Sequence, residues 1–305
     1  MRMQFNRIIC ATDFSDFSNR TVNYGIALAR DFEAKLYVCH IIDLSSVAIY
    51  GEFQLDPVGL QNRIMKDARD QLEELIGQQH KEWEPLITVG HTADEIARIV
   101  EEKNIDLVIT ATRGRSGLKR LILGSVTERL MRTLRCPLLV VHSPDKEFIS
   151  TDDPEVNINR ILVGCDFSPD SSLAFEYGLS LAQEFESELH LAHVIESAAY
   201  QELQKTDTPI ETEIQQEIHD RLIHKLQELV PEEARNWCKP QTSLIEGRPY
   251  EELVKYAEKH DIGMIVLGAR GLGLVKSLLL GSTTDRVIRR APCPVLSVSA
   301  KVQNE

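Results

Sequence analysis

The sequence predicts an α/β fold made of two repeated domains, each an open five-stranded parallel sheet with helices on both faces. Three observations carry this. The chain repeats itself: Asn6-Arg-Ile-Ile-Cys-Ala-Thr-Asp-Phe-Ser15 recurs as Asn159-Arg-Ile-Leu-Val-Gly-Cys-Asp-Phe-Ser168, in a register that holds through Tyr24-Gly25 and Tyr177-Gly178, Phe32-Glu33 and Phe185-Glu186, and His40 and His193. A period of about 150 residues is a domain duplication, too long for a solenoid unit. Within each copy, short apolar runs alternate with stretches of helical periodicity, the pattern of a parallel sheet wrapped by helices. Each copy also carries a glycine loop at the same place, after its fourth strand. The expected division is 1–143 and 158–301, joined by a linker at 144–157.

In the first copy, Arg7 to Thr12 is a buried strand ending at Asp13, and Ser18 to Phe32 spaces Val22, Ile26 and Ala29 at helical intervals. Leu36 to Ile42 is the second strand. Residues 44–60, with Pro57 and two glycines, read as a loop reaching over the site. Arg63 to Gln79 is an amphipathic helix with Ile64, Ala68, Leu72, Leu75 and Ile76 as its apolar stripe. Trp83 to Val89 is a third strand, and a capping box at Thr92-Ala-Asp-Glu95 opens a helix to about Lys103. Asp106 to Thr112 is the fourth strand. A helix from Ser125 to Leu134 follows the glycine loop, and Cys136-Pro137 leads into the last strand, Leu138 to His142. Ser143 to Asn157 has two prolines, five acidic residues and no apolar period, as a linker would. The second copy repeats this order, with a polar stretch Ser197 to Pro209, a helix from Glu211 to Leu229, and a helix opening at Arg248-Pro249. Leu253 and Ala257 continue that helix's buried stripe, and Ile262 to Leu267 is the fourth strand.

The 305 residues suffice for two ordinary cores. A net charge of −13 argues against non-specific nucleic-acid binding, the plainer meaning of the acidity being solubility. No run approaches the roughly 18 apolar residues of a membrane span, and the N-terminus lacks a signal-peptide core, so the cytoplasm is the expected compartment. Six cysteines without a C-x-x-C pair read as buried reduced thiols rather than a metal or disulfide framework.

In open parallel sheets, ligands sit beyond the C-terminal strand ends where strand order switches. Asp13 and Asp166 project there, suited to a ribose hydroxyl or a metal reached through water. Equally, each belongs to a helix cap with Ser15 and Ser168. His40 and His193 read as packed, hydrogen-bonded strand residues rather than bases or ligands, and no metal site follows. The glycine loops say more. Gly268 and Gly271 stand three apart, then nine residues lead to Gly281-Ser282 at a helix start; Gly114, Gly124 and Ser125 repeat this with Ala111 in the first place. Backbone free of Cβ atoms approaches an anion closely, and a helix N-terminus offers unpaired N–H groups. Ser125-Val-Thr-Glu128 and Ser282-Thr-Thr-Asp285 also read as capping boxes. From Ala111 to Cys136 there are seven Lys or Arg against one acidic residue, and from Gly268 to Cys293 five against one. Arg129, Arg132 and Arg135 read as a solvated helix face, whereas Arg113 and Arg270 are candidates for phosphate contact. No Walker loop or dinucleotide fingerprint occurs.

On these residues the chain resembles the universal stress protein family in its tandem form. The resemblance rests on the Asp-Phe-Ser openings, the His40-Ile41 and His193-Val194 strand ends, the G-x-x-G-x9-G-[ST] loops and the Cys-Pro before each last strand. It implies an adenine-nucleotide α-hydrolase-like fold and, as in ATP-binding members, a phosphate site at the loop. Gly268, Gly271, Gly281 and Ser282 would hold phosphates with Thr283 and Thr284 near them, Asp166 would meet ribose or metal, and Val194 the adenine. The first-copy counterparts are Asp13, Ile41, Gly114, Gly124, Ser125, Val126 and Thr127. Ala111 departs from the pattern and is expected to crowd the backbone's approach, favouring ATP binding, with or without Mg²⁺, in the C-terminal domain.

The resulting expectation is a nucleotide-dependent regulator or sensor with at most slow ATP hydrolysis and an unnamed protein partner. The alternative is a scaffold on the same fold that binds no nucleotide. An ATP pyrophosphatase of the related hydrolases would carry an S-G-G-x-D-S loop where this chain has Asp13-Phe-Ser-Asp and Asp166-Phe-Ser-Pro. The apolar last strands, Leu138-Leu-Val-Val141 and Val295-Leu-Ser-Val298, invite edge pairing, so the two domains are expected to associate through them as family dimers do, leaving a further homodimer open.

Overall fold

The computed structural model describes residues 3–43, 57–77, 82–112, 123–142, 156–196, 209–271 and 281–300. The chain forms two compact units, one built on Gln4–Ser143 and the other on Asn157–Glu305. The N-terminal unit runs β1 (Arg7–Ala11), α1 (Asp16–Asp31), β2 (Lys35–Ile42), α2 (Pro57–Ile76), β3 (Trp83–Val89), α3 (Thr92–Lys103), β4 (Leu107–Ala111), α4 (Ser125–Thr133) and β5 (Leu138–Val141). Its strands stand in the order β3-β2-β1-β4-β5, all pairs parallel, with Ile9 opposite Tyr37 on one side and Val108 on the other.

The C-terminal unit runs β6 (Arg160–Gly164), α5 (Pro169–Glu184), β7 (Glu188–Ile195), α6 (Pro209–Leu229), a 3₁₀ turn (Glu232–Asn236), β8 (Gln241–Glu246), α7 (Pro249–Lys259), β9 (Met264–Gly268), α8 (Ser282–Arg290) and β10 (Val295–Val298). Its sheet repeats the first in the order β8-β7-β6-β9-β10, again parallel throughout. The central strands are buried on both faces: Ile8, Ile9 and Cys10 in β1 and Ile161, Leu162 and Val163 in β6 have at most 0 % exposure, as two-sided helix cover requires. α1 packs on β1 and β4, and α5 on β6 and β9.

Two local expectations are corrected. The stretch read as a loop over 44–60 already contains the start of α2 at Pro57, where a proline's fixed φ and missing N–H suit a helix start; residues 44–56 lie outside the described residues. The cap of α3 is His91, which makes no side-chain cap bond, and Thr92 is the first helical residue. Glu95 faces Thr88 and Arg98 instead of completing a box. Most of the linker, 144–155, lies outside the described residues. All six cysteines are free, five buried and Cys136 half-buried, with burial pushing the Cys39 and Cys136 thiols up to about 12. Among the described residues no helix is long and apolar enough to cross a membrane.

Candidate nucleotide site

The chain leaves β1 toward β2 on one side and returns to β4 on the other, so strand order switches between β1 and β4, and in the second unit between β6 and β9. A crevice opens at the C-terminal ends of such strands. The Asp-Phe-Ser turns enter it. Asp13 Oδ1 accepts from Ser15 N at 3.1 Å, Ser15 Oγ at 2.6 Å and Ser18 Oγ at 2.6 Å. Ser15 Oγ in turn accepts from Ser18 N and caps α1. In the second unit Asp166 Oδ1 accepts from Ser168 N at 3.0 Å, and Ser168 caps α5. Each aspartate thus orders its turn, a task compatible with a further contact from its second oxygen.

The residue after each aspartate is left-handed, Phe14 at φ 62° and Phe167 at φ 63°. Their rings meet the histidines: Phe14 lies 4.4 Å from His40 and Phe167 4.8 Å from His193, centroid to centroid. His40 Nδ1–H donates to Thr12 O at 2.9 Å and His193 Nδ1–H to Cys165 O at 2.7 Å, since a carbonyl only accepts. The histidines therefore fasten the end of the second strand of each unit to the end of its first.

Burial holds His193 below the ordinary histidine value, and likewise His190, which is 2 % exposed and bonded through Nδ1 to Tyr256 Oη. A folded-state value below the unfolded 6.5 means the unfolded chain takes up the proton first. Stability is complete above that value and falls as pH drops below it, by up to about 1.4 kcal/mol per pH unit for each histidine. Urea titrations at pH 8 and pH 5.5 are expected to show this fall, and His190→Phe to reduce it; an equal fall in both proteins would refute His190's part.

The glycine loops begin and end in the same crevice. Ser125 and Ser282 are not caps. The caps of α4 and α8 are Gly124 and Gly281, which have no side chain to bond the first turn, and the serines are the first helical residues. Glu128 and Asp285, assigned to the capping boxes, pair instead with Arg132 and Arg289 one turn on. A glycine-capped first turn leaves its N–H groups for an outside acceptor. The two loop ends are tied together: Gly281 N–H donates to Ala269 O at 2.8 Å and Thr284 Oγ1–H to Gly268 O at 2.7 Å. Gly124 N–H to Thr112 O and Thr127 Oγ1–H to Ala111 O do the same in the first unit, both at 2.8 Å. The Thr284 and Thr127 hydroxyls are thus committed to the loop base, leaving their backbone N–H groups in the helix first turn.

Two further expectations change. The Arg270 guanidinium does not face the crevice alone: Nε donates to Asp170 Oδ2 at 3.1 Å, and Nη2 to Ser299 Oγ at 2.7 Å and Ala300 O at 2.8 Å. Arg113 and Gly114 lie outside the described residues. The first glycine also has a different reason from the one expected. A Cβ on Gly268 would sit 2.7 Å from the Asp170 carbonyl carbon and 2.8 Å from Ser171 N, so its bareness admits α5 rather than a ligand. Gly271 does serve the crevice, because a Cβ there would run into Asp166 Oδ2.

A cavity of about 730 Å³ joins these parts in the C-terminal unit, lined by Asp166, Val194, Gly268, Arg270, Gly271, Gly281, Ser282, Thr283 and Thr284. Ile195, Pro249, Leu253 and Leu267 add an apolar wall that sequence reading missed; the stripe of α7 had marked Leu253 as buried but not as facing a cavity. The first unit has a cavity of about 290 Å³ lined by Asp13, Ile41, Ala111, Gly124, Ser125, Val126 and Thr127. Among the described residues no group of three or more His, Cys, Asp or Glu is placed to hold a metal ion.

The model of the universal stress protein family matches the chain twice, over residues 4–142 and 157–299. A universal stress protein of Methanocaldococcus jannaschii is 32% identical over 148 residues, covering 47% of this chain and 85% of its own. One of Mycobacterium bovis is 30% identical over 205 residues, covering 66% of this chain and 64% of its own. The crystal structure of a universal stress protein from Archaeoglobus fulgidus superposes with a TM-score of 0.69 at 22% identity, over 99% of this chain and 98% of that one, a likeness of fold.

Proposed function

The chain belongs to the universal stress protein family, and from that premise we propose that it is an ATP-binding regulator or sensor whose main site is the C-terminal cavity. One observation carries the reading: the glycine-capped start of α8, the Asp166 turn and the apolar end of β7 line a single cavity. Its volume of about 730 Å³ falls within the roughly 300–1,000 Å³ of ordinary small-molecule sites. Phosphates would meet the first-turn N–H groups of Ser282, Thr283 and Thr284, with Mg²⁺ accompanying them. The Asp166 carboxylate suits ribose hydroxyls, and Val194, Ile195 and Leu253 suit an adenine face. The first unit's cavity of about 290 Å³ supports weaker binding or none.

Hydrolysis, in this reading, is slow. Asp166 Oδ1 orders its own turn, and burial holds His193 below the ordinary histidine value, which makes it a weak base. Calorimetry with ATP·Mg²⁺, together with mass spectrometry of nucleotide released from freshly purified protein, tests the proposal. Saturable binding of one ATP per chain is expected. No binding by the wild type, with no adenine nucleotide released, would refute it, and steady turnover near 10 s⁻¹, an ordinary enzyme's rate, would make the protein an ATPase.

A further inference from the structure

Asp170 is the second residue of α5, and its side chain is only 7 % exposed. It ties α5 to two segments that are far from it in sequence. Oδ2 accepts from Arg270 N at 3.0 Å and from Arg270 Nε at 3.1 Å, and Oδ1 accepts from Ala300 N at 3.0 Å. Arg270 Nη2 closes the network on Ser299 Oγ and Ala300 O. A carboxylate so buried requires such donors, because an ion withdrawn from water is costly unless its oxygens are satisfied. The position matching Asp170 in the first unit is Phe17, so this network is peculiar to the second.

Its contacts lead directly to the anion-binding end of the crevice. Asp170 holds the backbone at Arg270, between Gly268 and Gly271. Gly271 lies where only a bare Cα leaves room for Asp166 Oδ2. Ala269 and Gly268 in turn hold Gly281 and Thr284 at the start of α8 through their carbonyls. The base-facing wall, from Val194, Ile195 and Leu253, comes from β7 and α7 and takes no part in these bonds.

We propose that Asp170 is a positioning residue for the phosphate end of the C-terminal site, setting the Ala269–Gly271 backbone and hence the start of α8, so that this unit discriminates nucleotides by phosphate number. The inference rests on the nucleotide reading above. Asp170→Asn keeps the volume but turns one acceptor into a donor, which then faces Ala300 N–H or the Arg270 donors. Arg270→Met leaves the first turn of α5 intact while removing the guanidinium, and Arg270→Lys restores the charge.

The test measures ATP and AMP affinities by calorimetry in the full chain, with ligand-free thermal melts alongside. Asp170→Asn and Arg270→Met are expected to weaken ATP roughly tenfold or more, the worth of a hydrogen bond to a charged group, and AMP less than about twofold. Arg270→Lys is expected to recover part of the ATP preference. Equal losses for ATP and AMP would reveal a merely structural role and overturn the proposal, as would an unchanged ATP-to-AMP ratio. Those results leave the nucleotide site standing, whereas a wild type that binds neither ligand removes the site reading and this one together.

Discussion

Gly281→Val is expected to lower ATP affinity at the C-terminal site by about 100-fold, or roughly 2.7 kcal/mol. Gly281 has φ −61° and ψ 134°, a conformation open to any residue, so the effect is steric rather than conformational. A Cβ there would stand 3.1 Å from Ala269 O, 3.5 Å from Arg270 Cα and 3.6 Å from Gly271 N. Valine adds two methyl groups to that contact. They would prise the start of α8 from the loop base, break the Gly281 N–H bond to Ala269 O, and cover the N–H groups offered to phosphate. Overpacking of about 1–3 kcal/mol and the lost hydrogen bonds together reach the expected size. Calorimetry with ATP·Mg²⁺ measures it, and a ligand-free melt shows whether the unit still folds. Gly124→Val, at the matching place in the smaller cavity, is expected to leave the tight site unchanged. Wild-type affinity in Gly281→Val would remove α8 from the binding site.

Gly268→Val is expected to destabilise the C-terminal unit by about 3 kcal/mol, the upper range of overpacking, with the Asp170 network disturbed as well. The atoms a side chain would meet are the backbone of Asp170 and Ser171, held in the first turn of α5, and cannot swing aside as a flexible side chain does. Urea unfolding of wild type and variant measures the difference. Ala111→Gly, the reverse exchange in the first unit, is expected to cost no more than about 1 kcal/mol through the flexibility of the unfolded chain. It should not create tight nucleotide binding. Were Gly268→Ala to keep full stability and lose only ATP, the glycine would serve ligand approach rather than helix packing.

These two glycines show what the sequence made legible. The duplication, the strand and helix alternation and the crevice were readable because apolar periodicity and repeat register are local signals. Asp166, Val194, Gly268, Arg270, Gly271 and Gly281 to Thr284, picked out from the repeat and its loops, line one cavity. The reason for Gly268 was not readable, since its neighbour is a helix start about a hundred residues earlier. The pairing of Arg270 was not readable either: a cation in a glycine loop suggests phosphate, and nothing local reveals that it also bonds the buried Asp170 carboxylate. The caps were displaced by one residue because serine and threonine are the preferred capping residues, so a glycine cap followed by serine reads as a serine cap. Pro57 was passed over for the opposite reason, a helix-starting residue in a stretch whose glycines suggested a loop.

The left-handed phenylalanines have a consequence for anyone seeking to harden this protein. At φ 62° and 63°, Phe14 and Phe167 occupy a conformation in which glycine would sit more comfortably, and a routine stabilisation survey would nominate both for replacement. Each ring, however, is the surface on which a strand-end histidine rests, and the aspartate beside it is the one aimed into the crevice. Relaxing the backbone there would trade a rigid turn at the crevice for a sturdier but slacker one. Durability and the order of the crevice rim are set against each other at the same residue, once in each half of the chain.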